Sequence, residues 1–531
     1  MIGWEVWFAI IPGLILFRYG IEQFSDEIQR VAGEKFRTYL GKMTQNPLGG
    51  AFLGAAMTAI VQSSTATTVI AVGLVNAGTI PFAQSIGVMI GANVGTTVTS
   101  QLVAFNMMWF APVFILLGFL LNGVGGRYKF LGKPIFYFGL VFFSLSLISE
   151  AIAPVKDDAE VAALFAGLDN LFIAILVGII LSALFQSSSV TTGLVVLLAG
   201  GGLITLGQGI PIILGANIGT TAMSIFISLG MDLYAKRAAA AHFLFNVGGV
   251  LIFLPFLGPF AEMVASHGGT AAQQVANAHL AFNVVCAAVF LLLINPFRRA
   301  VERLVPGEEE EILFRAKYLE DKLPETNGKA LQAIEKELKN AMGITHSLFN
   351  ESVGMILGKK NSSLNRAKKL ESLTDYLNKR MEAATREVGL RELTNEEAKR
   401  TVLLVRMSNV AEQLGDKGQD LAYLVSDMGE KGEYMSPEAL VELKEIYGKM
   451  EGSMEIACLV PHIAPKDAKT MKSNDASIRA LINSAYESHM KRITEGKAYA
   501  GSFFVEAIST LEAANAKVRE LRKLSELYGQ K

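Results

Sequence analysis

Uninterrupted apolar runs, separated by short polar stretches, dominate the first 297 residues of the chain. Five of these runs are 13 to 20 residues long and contain no Asp, Glu, Lys or Arg; they cover 109–121, 134–148, 171–185, 238–257 and 280–294. Segments of this length and hydropathy are stable in hydrocarbon and not in water. The pattern therefore predicts an all-α, polytopic membrane domain over residues 1–297.

After residue 297 the pattern changes to that of a water-soluble helical protein. Only 23 charged residues precede this point, whereas 74 follow it. Leu331, Ile334 and Leu338 recur at helical spacing, which is typical of one buried helix face. We predict a linker over 298–325, followed over 326–531 by six helices in two three-helix bundles. The predicted helix breaks lie near Asn361, Gly389–Thr394, Gly429–Ser436, Pro461–Pro465 and Gly496.

A polar block in the first part of the chain occurs twice. Residues 62–68 read Gln-Ser-Ser-Thr-Ala-Thr-Thr, and residues 186–192 read Gln-Ser-Ser-Ser-Val-Thr-Thr. Residues 91–97 and 215–221 likewise share Gly-Ala-Asn-x-Gly-Thr-Thr, and both offsets are 124. Along 62–100 this offset gives 18 identities in 39 ungapped positions, which indicates an internal duplication.

The apolar stretches around both blocks are interrupted by Gly, Pro, Ser and Thr before they reach the ~20 residues of a spanning helix. Irregular backbone at membrane depth is stable only inside protein or beside a water-filled cavity. Interrupted segments at matching places in two halves are typical of transporter sites. We therefore predict two repeats, about 44–125 and 168–257, built from broken or re-entrant helices around one site.

The charges that flank the repeats favour opposite orientations in the membrane. Basic residues precede the first repeat, whereas acidic residues outnumber Lys156 before the second. Lys236 and Arg237 follow the second repeat, but residues 104–109 after the first carry no charge. Under the positive-inside rule this exchange predicts inverted repeats. The preceding charges are Arg30, Lys35, Arg37 and Lys42 for the first repeat, and Asp157, Asp158 and Glu160 for the second.

Each block offers neutral oxygens and neutral donors from amide and hydroxyl side chains. Hydroxyl and carbonyl oxygens can replace water around a small cation, while hydroxyl, amide and backbone N–H groups can bind an oxyanion. Neighbouring glycines let the backbone come close to a ligand. The alternative is that small hydroxyl residues only let helices pack closely. Two blocks in register favour a binding site.

Neither block contains Arg or Lys, so co-bound sodium is predicted to supply the charge that neutralises the anion. Arg18 is interpreted as a side chain that reaches a membrane surface. His242, His267 and His279 have no metal-ligand spacing and are interpreted as packed or solvent-exposed side chains.

The two blocks resemble the signature of the sodium-phosphate cotransporter family, a pair of Gln-Ser-Ser-Ser-like sequences, each followed by Gly-Ala-Asn-Ile-Gly-Thr. The resemblance covers most of residues 1–297. It implies sodium-coupled secondary active transport of inorganic phosphate, with Na⁺ as the co-transported ion. In the first block Thr65 stands in place of the third serine. The implied phosphate and sodium site consists of Gln62, Ser63, Ser64, Thr65, Thr67, Thr68, Asn93, Thr96, Thr97, Gln186, Ser187, Ser188, Ser189, Thr191, Thr192, Asn217, Thr220 and Thr221.

Residues 411–418, Ala-Glu-Gln-Leu-Gly-Asp-Lys-Gly, resemble the PhoU-like regulatory domain. That resemblance implies Glu-x-x-x-Asp motifs that bind divalent or transition metal ions. Glu412 and Asp416 match such a motif and lie one turn apart on one helix face. A solvated helix face is the alternative for this pair. The counterpart in the second bundle has Glu512 but Ala516, so it lacks one carboxylate.

The basic residues Arg298, Arg299 and Arg303 at the membrane exit predict that the C-terminal domain lies in the cytoplasm. The PhoU-like resemblance indicates a bacterial inner membrane. The expected partners are phosphate, sodium and membrane lipid, and a homo-oligomer or a cytoplasmic regulatory partner stays open. The charge pattern gives no indication of nucleic-acid binding.

Two other classes of function compete with transport. The first is a membrane phosphate sensor that signals to regulate phosphate uptake. The second is a membrane hydrolase, which is disfavoured because no general base accompanies Ser64 or Ser188 in the blocks. No enzymatic activity is therefore predicted.

Overall fold

The computed structural model describes residues 4–43, 46–105, 107–124, 128–155, 158–307, 311–320, 322–359, 362–496 and 501–530. These residues form helices and connecting loops, with no strand among them. The chain divides into two compact units, Met1–Gly307 and Glu308–Lys531. Predictions above that use Lys156, Asp157, Asn361, or the side chains of Lys35, Arg37, Lys42 and Glu160 fall outside the described residues.

The described residues of the first unit form fifteen α-helices. They are α1 Trp4–Met43, α2 Pro47–Val61, α3 Ser64–Asn76, α4 Phe82–Ala104, α5 Ala111–Val124, α6 Lys129–Ile152, α7 Ala159–Ala166, α8 Leu171–Phe185, α9 Ser188–Gly200, α10 Leu206–Gly219, α11 Ala222–Ser228, α12 Leu233–Phe253, α13 Leu257–Ser266, α14 Ala271–Leu292 and α15 Ile294–Leu304.

The offset of 124 residues relates helices as well as sequence. Adding 124 to the bounds of α2 and α3 gives the bounds of α8 and α9. The same shift takes α4 onto α10 and α11 together, because the second copy is interrupted at Thr220 and Thr221. Asn46 and Asn170 cap α2 and α8 by accepting hydrogen bonds from backbone N–H groups of the first turn, as N-cap residues do.

Two helices of each copy pack backbone to backbone. A Cβ atom at Gly91 of α4 would overlap the carbonyl oxygen of Ala51 in α2. At the equivalent place, a Cβ atom at Gly215 of α10 would overlap the carbonyl oxygen of Ile175 in α8. Such close approach requires small residues, as in membrane helix pairs generally. The pairs α2–α4 and α8–α10 therefore have no side chains between them at these points.

Five helical segments are long and apolar enough to cross a membrane, by length and composition. Large apolar side chains such as Leu116, Phe119 and Phe172 are exposed on the surface of this unit. A water-soluble domain would bury them. These observations agree with a membrane domain of several crossings. The five segments are Phe82–Ala104, Lys129–Ile152, Leu206–Ser228, Leu233–Ser266 and Ala271–Leu292.

The first unit extends beyond the point at which the composition changes. α15 crosses position 297 without a break. Arg237 of α12 donates hydrogen bonds to the carbonyl oxygens of Val305, at 3.0 Å, and Gly307, at 3.1 Å. These bonds attach the end of the unit to α12.

The described residues of the second unit form six long helices: α16 Asn327–Ile356, α17 Leu364–Gly389, α18 Asn395–Glu430, α19 Pro437–Ala457, α20 Pro465–Thr494 and α21 Gly501–Gly529. α16, α17 and α18 pack against one another, as do α19, α20 and α21. α18 also packs against α21, and one continuous apolar core joins all six. Thr394 and Glu397 form a capping box at the start of α18, and Ser436 caps α19 ahead of Pro437.

The segment before α16 is fixed to the second unit by polar contacts. The buried Glu337 carboxylate accepts hydrogen bonds from the backbone N–H groups of Tyr318, at 2.6 Å, and Leu319, at 3.2 Å. Arg391 donates to the carbonyl oxygen of Pro324 at 2.7 Å. Residues 318–320 and 322–324 thus lie beside α16 and the C-terminal end of α17 in this unit.

Candidate functional site

Each duplicated block contains a helix break at its glutamine. Gln62 and Gln186 have φ angles of 59° and 54°, a left-handed conformation that is uncommon for residues other than glycine. Each ends the helix before it, and the next residue, Ser63 or Ser187, caps the helix that follows. A backbone held in this conformation at matching places is a feature of functional sites.

The two breaks meet at one cavity of about 290 Å³. Residues 62–66 line it from the first copy and residues 186–190 from the second. Thr99 of α4 connects the copies directly, since its hydroxyl lies 2.6 Å from Gln62 Oε1 and 3.3 Å from Ser189 Oγ. The blocks therefore lie side by side, and both face the same space.

Several polar side chains in the cavity wall have no hydrogen bond from any described residue. Ser64 and Ser188 are each 4% exposed, and they begin α3 and α9. The Gln186 amide also lacks a described hydrogen-bond partner, whereas the Gln62 amide is held by Thr99 and the Ala59 carbonyl. Two helix N-termini with hydroxyl groups beside them can bind an anion, because their backbone N–H groups carry partial positive charge.

The other predicted site residues lie behind the cavity wall. Thr67, Thr191 and Thr192 donate back to carbonyl oxygens of their own helices. Thr220 Oγ1 accepts a hydrogen bond from the backbone N–H of Ser188 at 3.0 Å, so it supports the wall. The remaining predicted site residues are buried but do not line the cavity. They are Thr68, Asn93, Thr96, Thr97, Asn217 and Thr221.

Arg18 lies in the cavity wall, and its interpretation as a side chain that reaches a membrane surface stays a prediction. α1 also contributes Glu22 and Asp26 to the wall. Arg18 Nε lies 3.9 Å from Glu22 Oε2, with the two side chains 42% and 57% exposed. The cavity wall thus contains one positive and two negative side chains from α1 next to the neutral blocks. The blocks themselves contain no Arg or Lys, and the Arg18 side chain is not buried.

A sequence signal for these α1 residues exists. Arg18, Glu22, Ser25, Asp26 and Gln29 recur every three or four residues, so they form one polar stripe on the helix. A polar stripe on an apolar membrane helix indicates a surface that faces protein or water. The stripe went unrecognised because it carries no part of the repeated motif.

A second group of ionisable residues lies in the second unit. Carboxylate oxygens of Glu371, Asp375 and Asp416 lie within 4.8 Å of one another. Burial and the charges of Asp416, Asp375 and Glu371 raise the pKa of the nearby Glu412 carboxyl. Burial and neighbouring carboxylates, chiefly Asp375, also raise the pKa values of Glu371 and Asp416. Such a group of like charges on α17 and α18 is one that a cation would stabilise.

Of the predicted pair, Asp416 belongs to this group of three carboxylates, whereas Glu412 is influenced by their charges but is not a member. Glu371 and Asp375 have the same spacing of four residues as Glu412 and Asp416. That spacing was the available signal, and it was missed because only the residues around 411–418 resemble the PhoU-like motif.

Comparisons with known proteins agree with the duplicated site. The sequence profile of the family described as "Na+/Pi-cotransporter" matches the chain twice, at residues 16–150 and 146–293. No solved structure matches the chain.

Relatives differ in how much of the chain they share. "Uncharacterized protein YqeW" of Bacillus subtilis is 34% identical over 270 residues, which are 49% of this chain and 86% of that protein. "Putative inorganic phosphate export protein YjbB" of Escherichia coli K12 is 23% identical over 98% of this chain and 95% of its own. "Sodium-dependent phosphate transport protein 2C" of Rattus norvegicus is 43% identical over 109 residues, 18% of each chain. With a profile match that covers both copies of the block, the chain belongs to the Na⁺/Pi-cotransporter family.

Proposed function

We propose that this protein transports inorganic phosphate across a bacterial inner membrane, coupled to sodium. The observation that carries the proposal is that both duplicated blocks line one cavity in a unit with membrane-spanning helices. Family membership and the names of the relatives support phosphate as the substrate.

Phosphate would bind where the two helix N-termini meet. The hydroxyls of Ser64 and Ser188 and the amide of Gln186 would donate hydrogen bonds to its oxygens. Arg18 would add a charge-assisted hydrogen bond from α1. Among the residues the structure describes, Arg18 is the one positive side chain in the cavity lining, and Glu22 and Asp26 add two negative ones. A divalent anion would therefore still need countercharge.

Sodium would supply that countercharge. Hydroxyl, amide and backbone carbonyl oxygens of the blocks are suitable Na⁺ ligands. Moving a divalent anion inward against 100 mV costs about 4.6 kcal/mol, at about 2.3 kcal/mol per charge. Two sodium ions would cancel this electrical cost, and a third would make uptake electrogenic.

We infer alternating access around this site by two inverted repeats, with re-entrant helices at the two breaks. The second unit would lie in the cytoplasm and regulate flux, as the PhoU-like resemblance implies. The name of the full-length relative favours a second candidate, outward transport of phosphate. A membrane phosphate sensor remains the alternative of a different class.

Flux in both directions across proteoliposomes tests the proposal. Purified protein should take up labelled phosphate when sodium, but not choline, is outside, and should release preloaded phosphate when the sodium gradient is reversed. Ser188→Ala should abolish most of this flux, while Ser266→Ala, at an exposed hydroxyl on α13, should not. Equal flux in sodium and choline would disprove sodium coupling. Binding of phosphate with no flux in either medium would favour the sensor.

The regulatory part of the proposal includes a metal ion on the second unit. We propose that Glu371, Asp375, Glu412 and Asp416 bind a divalent or transition metal, because a cation would offset their mutual repulsion. Added Mn²⁺ or Zn²⁺ should raise the melting temperature of the whole protein. Asp375→Asn should eliminate that rise, and an unchanged rise would place metal elsewhere.

A further inference from the structure

A second short motif occurs twice in the first unit and lies outside the cavity. Residues 241–247 of α12 and 278–284 of α14 both read Ala-His-x-x-Phe-Asn-Val. The two histidines, His242 and His279, are 0% and 1% exposed, and Asn246 and Asn283 are equally buried. Polar residues at the middle of membrane helices are costly to bury and are usually functional.

The two copies of this motif make equivalent contacts. Ser100 Oγ lies 2.9 Å from His279 Nδ1, and Ser224 Oγ lies 3.4 Å from His242 Nδ1. Ser224 is the residue that the offset of 124 relates to Ser100. Within each motif the asparagine amide donates to the histidine carbonyl oxygen at 2.9 Å. The motifs therefore contact the duplicated helices in the same manner.

One hydrogen bond is present at the α14 motif but not at the matching α12 motif. Asn217 Nδ2 donates to Asn283 Oδ1 at 3.3 Å. The offset predicts the matching contact between Asn93 and Asn246. There the two atoms that would form it, Asn93 Nδ2 and Asn246 Oδ1, are both buried without a hydrogen-bond partner.

Other matched positions differ in the same way. Thr192 donates to the Ser188 carbonyl at 2.9 Å, but the hydroxyl of the equivalent Thr68 is buried without a partner. Thr220 accepts from the backbone of Ser188, whereas Thr96 donates to its own helix at Ala92. α4 is continuous where α10 and α11 are separated. The two copies thus have one sequence pattern and two conformations.

Two conformations of a repeated unit are what one state of an alternating-access carrier requires. A buried donor or acceptor without a partner is unfavourable. Among the described residues Thr68, Asn93 and Asn246 each have such an atom, whereas the matching atoms of Thr192, Asn217 and Asn283 are paired; the Nε2 atoms of His242 and His279 are unpaired alike. Because the matched positions have the same residue types, exchanging the two conformations would move the unpaired asparagine and threonine groups to their counterparts at small net cost.

We propose that Asn246 and Asn283 are positioning residues whose contacts alternate during transport. The Asn217–Asn283 bond holds the state described here, and an Asn93–Asn246 bond replaces it in the oppositely facing state. This inference rests on the proposed function for its place in transport. The exchange itself can be tested without measuring flux.

Labelling of a cavity cysteine tests the exchange. The two native cysteines are first removed by Cys286→Ala and Cys458→Ala. Val69 lines the cavity, so a single new cysteine, Val69→Cys, should react with a membrane-impermeant maleimide while the cavity is open. Asn283→Leu weakens the described state and should lower the labelling rate about fivefold, the equivalent of one hydrogen bond. Asn246→Leu weakens the opposite state and should raise the rate by up to the same factor. Ser266→Leu, at an exposed hydroxyl on α13 that donates to a carbonyl of its own helix, is the control and should change nothing.

Opposite signs are the decisive result, because a purely structural role for both asparagines would change labelling in the same direction. Rates that move together would overturn the proposal. If either Leu variant fails to fold, the partner residues can be replaced instead. Asn217→Leu should then lower the labelling rate, as Asn283→Leu does, and Asn93→Leu should raise it, as Asn246→Leu does. If the two variants change the labelling rate in opposite directions but phosphate flux does not depend on sodium, the exchange of asparagine contacts stands and only sodium coupling is rejected.

Discussion

The two units bury different kinds of polar side chain. Among the described residues of the first unit, those that are buried and polar are almost all neutral, and Arg237 is the buried charged residue. In the second unit the buried polar residues include Glu335, Glu337, Glu351 and Asp475. Glu335 accepts hydrogen bonds from Tyr528, at 2.6 Å, and from Arg400 and His462.

This difference follows from what each unit has to do. An unpaired charge in the low dielectric of a bilayer is costly, so a site that changes partners there is better built from neutral groups. A buried ion pair is costly to break once formed. The neutral groups of the first unit thus suit the exchange of contacts proposed for it, and the buried ion pairs of the second unit suit one fixed arrangement.

The largest expected effect comes from removing one neutral side chain from the cavity. Gln186→Gly should reduce sodium-driven phosphate flux about 10- to 100-fold, because it removes a donor to a charged ligand while glycine accepts the left-handed backbone. The measurement is initial uptake in proteoliposomes. Gln274→Ala, at an exposed amide on α14, should keep wild-type flux. Full flux from Gln186→Gly would remove the duplicated block from the binding site.

A smaller change is expected from the charged stripe of α1. Arg18→Gln should raise the KM for phosphate about tenfold, because one charge-assisted hydrogen bond is lost, and Arg18→Lys should raise it less. Arg30→Gln, further along α1 on an exposed side chain that pairs with Glu27, serves as control. An unchanged KM in Arg18→Gln would mean that the neutral groups alone select the anion.

In the second unit two lost hydrogen bonds should alter stability and not flux. The Tyr528 hydroxyl donates to Glu335 and accepts from Arg400 Nε, so Tyr528→Phe should lower the free energy of unfolding of this unit by about 1–2 kcal/mol, measured by urea denaturation. Tyr486→Phe, with no described hydrogen bond, is the comparison. A loss of flux equal to that in Gln186→Gly would contradict the division between the units.

The same network predicts a pH dependence. Burial acts to raise the pKa of Glu335, but hydrogen bonds from Tyr528, His462 and Arg400 outweigh it and leave the pKa below 4.5. A carboxyl with a lowered pKa stabilises the folded state above its unfolded pKa and loses that contribution as pH falls. The difference in the free energy of unfolding between the wild-type protein and Tyr528→Phe should therefore become smaller below about pH 4.5. If that difference grew in acid, it could not arise from the ionised Glu335 carboxylate.

The smallest effect is expected at the acidic cluster. The pKa of Asp416 is raised by burial and by Asp375, so this carboxylate destabilises the metal-free fold as pH rises through that pKa. In chelator at neutral pH, Asp416→Asn should raise the free energy of unfolding by about 0.2–1 kcal/mol. Ser347→Ala, at an exposed hydroxyl on α16 that donates to the Gly343 carbonyl of its own helix, is the control. A decrease in stability would show that the cluster is not under mutual repulsion.

Much of the fold could be predicted from the sequence because the duplication and the apolar runs are local patterns. The 124-residue offset, read from residues 62–100, also reproduces the helix bounds of α2 and α3 in α8 and α9. The change in composition near 297 was visible, but α15 crosses it, because an amphipathic helix can continue from an apolar segment into a charged one.

The site could be predicted only in part, because contacts between distant segments leave no spacing to detect. The blocks at 62 and 186 meet, yet Arg18 reaches them from a helix 44 residues earlier in the chain. His242 and His279 looked like isolated packed residues until their contacts with Ser224 and Ser100 placed them on the duplicated helices. Asn246 and Asn283 each lie four residues after one of these histidines, and the repeated Ala-His-x-x-Phe-Asn-Val sequence is the signal that marks them.

The glycine contacts at 91 and 215 have a mechanical consequence. With a carbonyl oxygen directly against each Cα, α2 cannot slide along α4, nor α8 along α10, without steric overlap. In the alternating access proposed above, each pair would therefore move as a rigid body, with the bending at the connections at residues 62 and 186. Spin labels on α2 and α4 should therefore keep one separation in every state, whereas labels on α2 and α8 should show two.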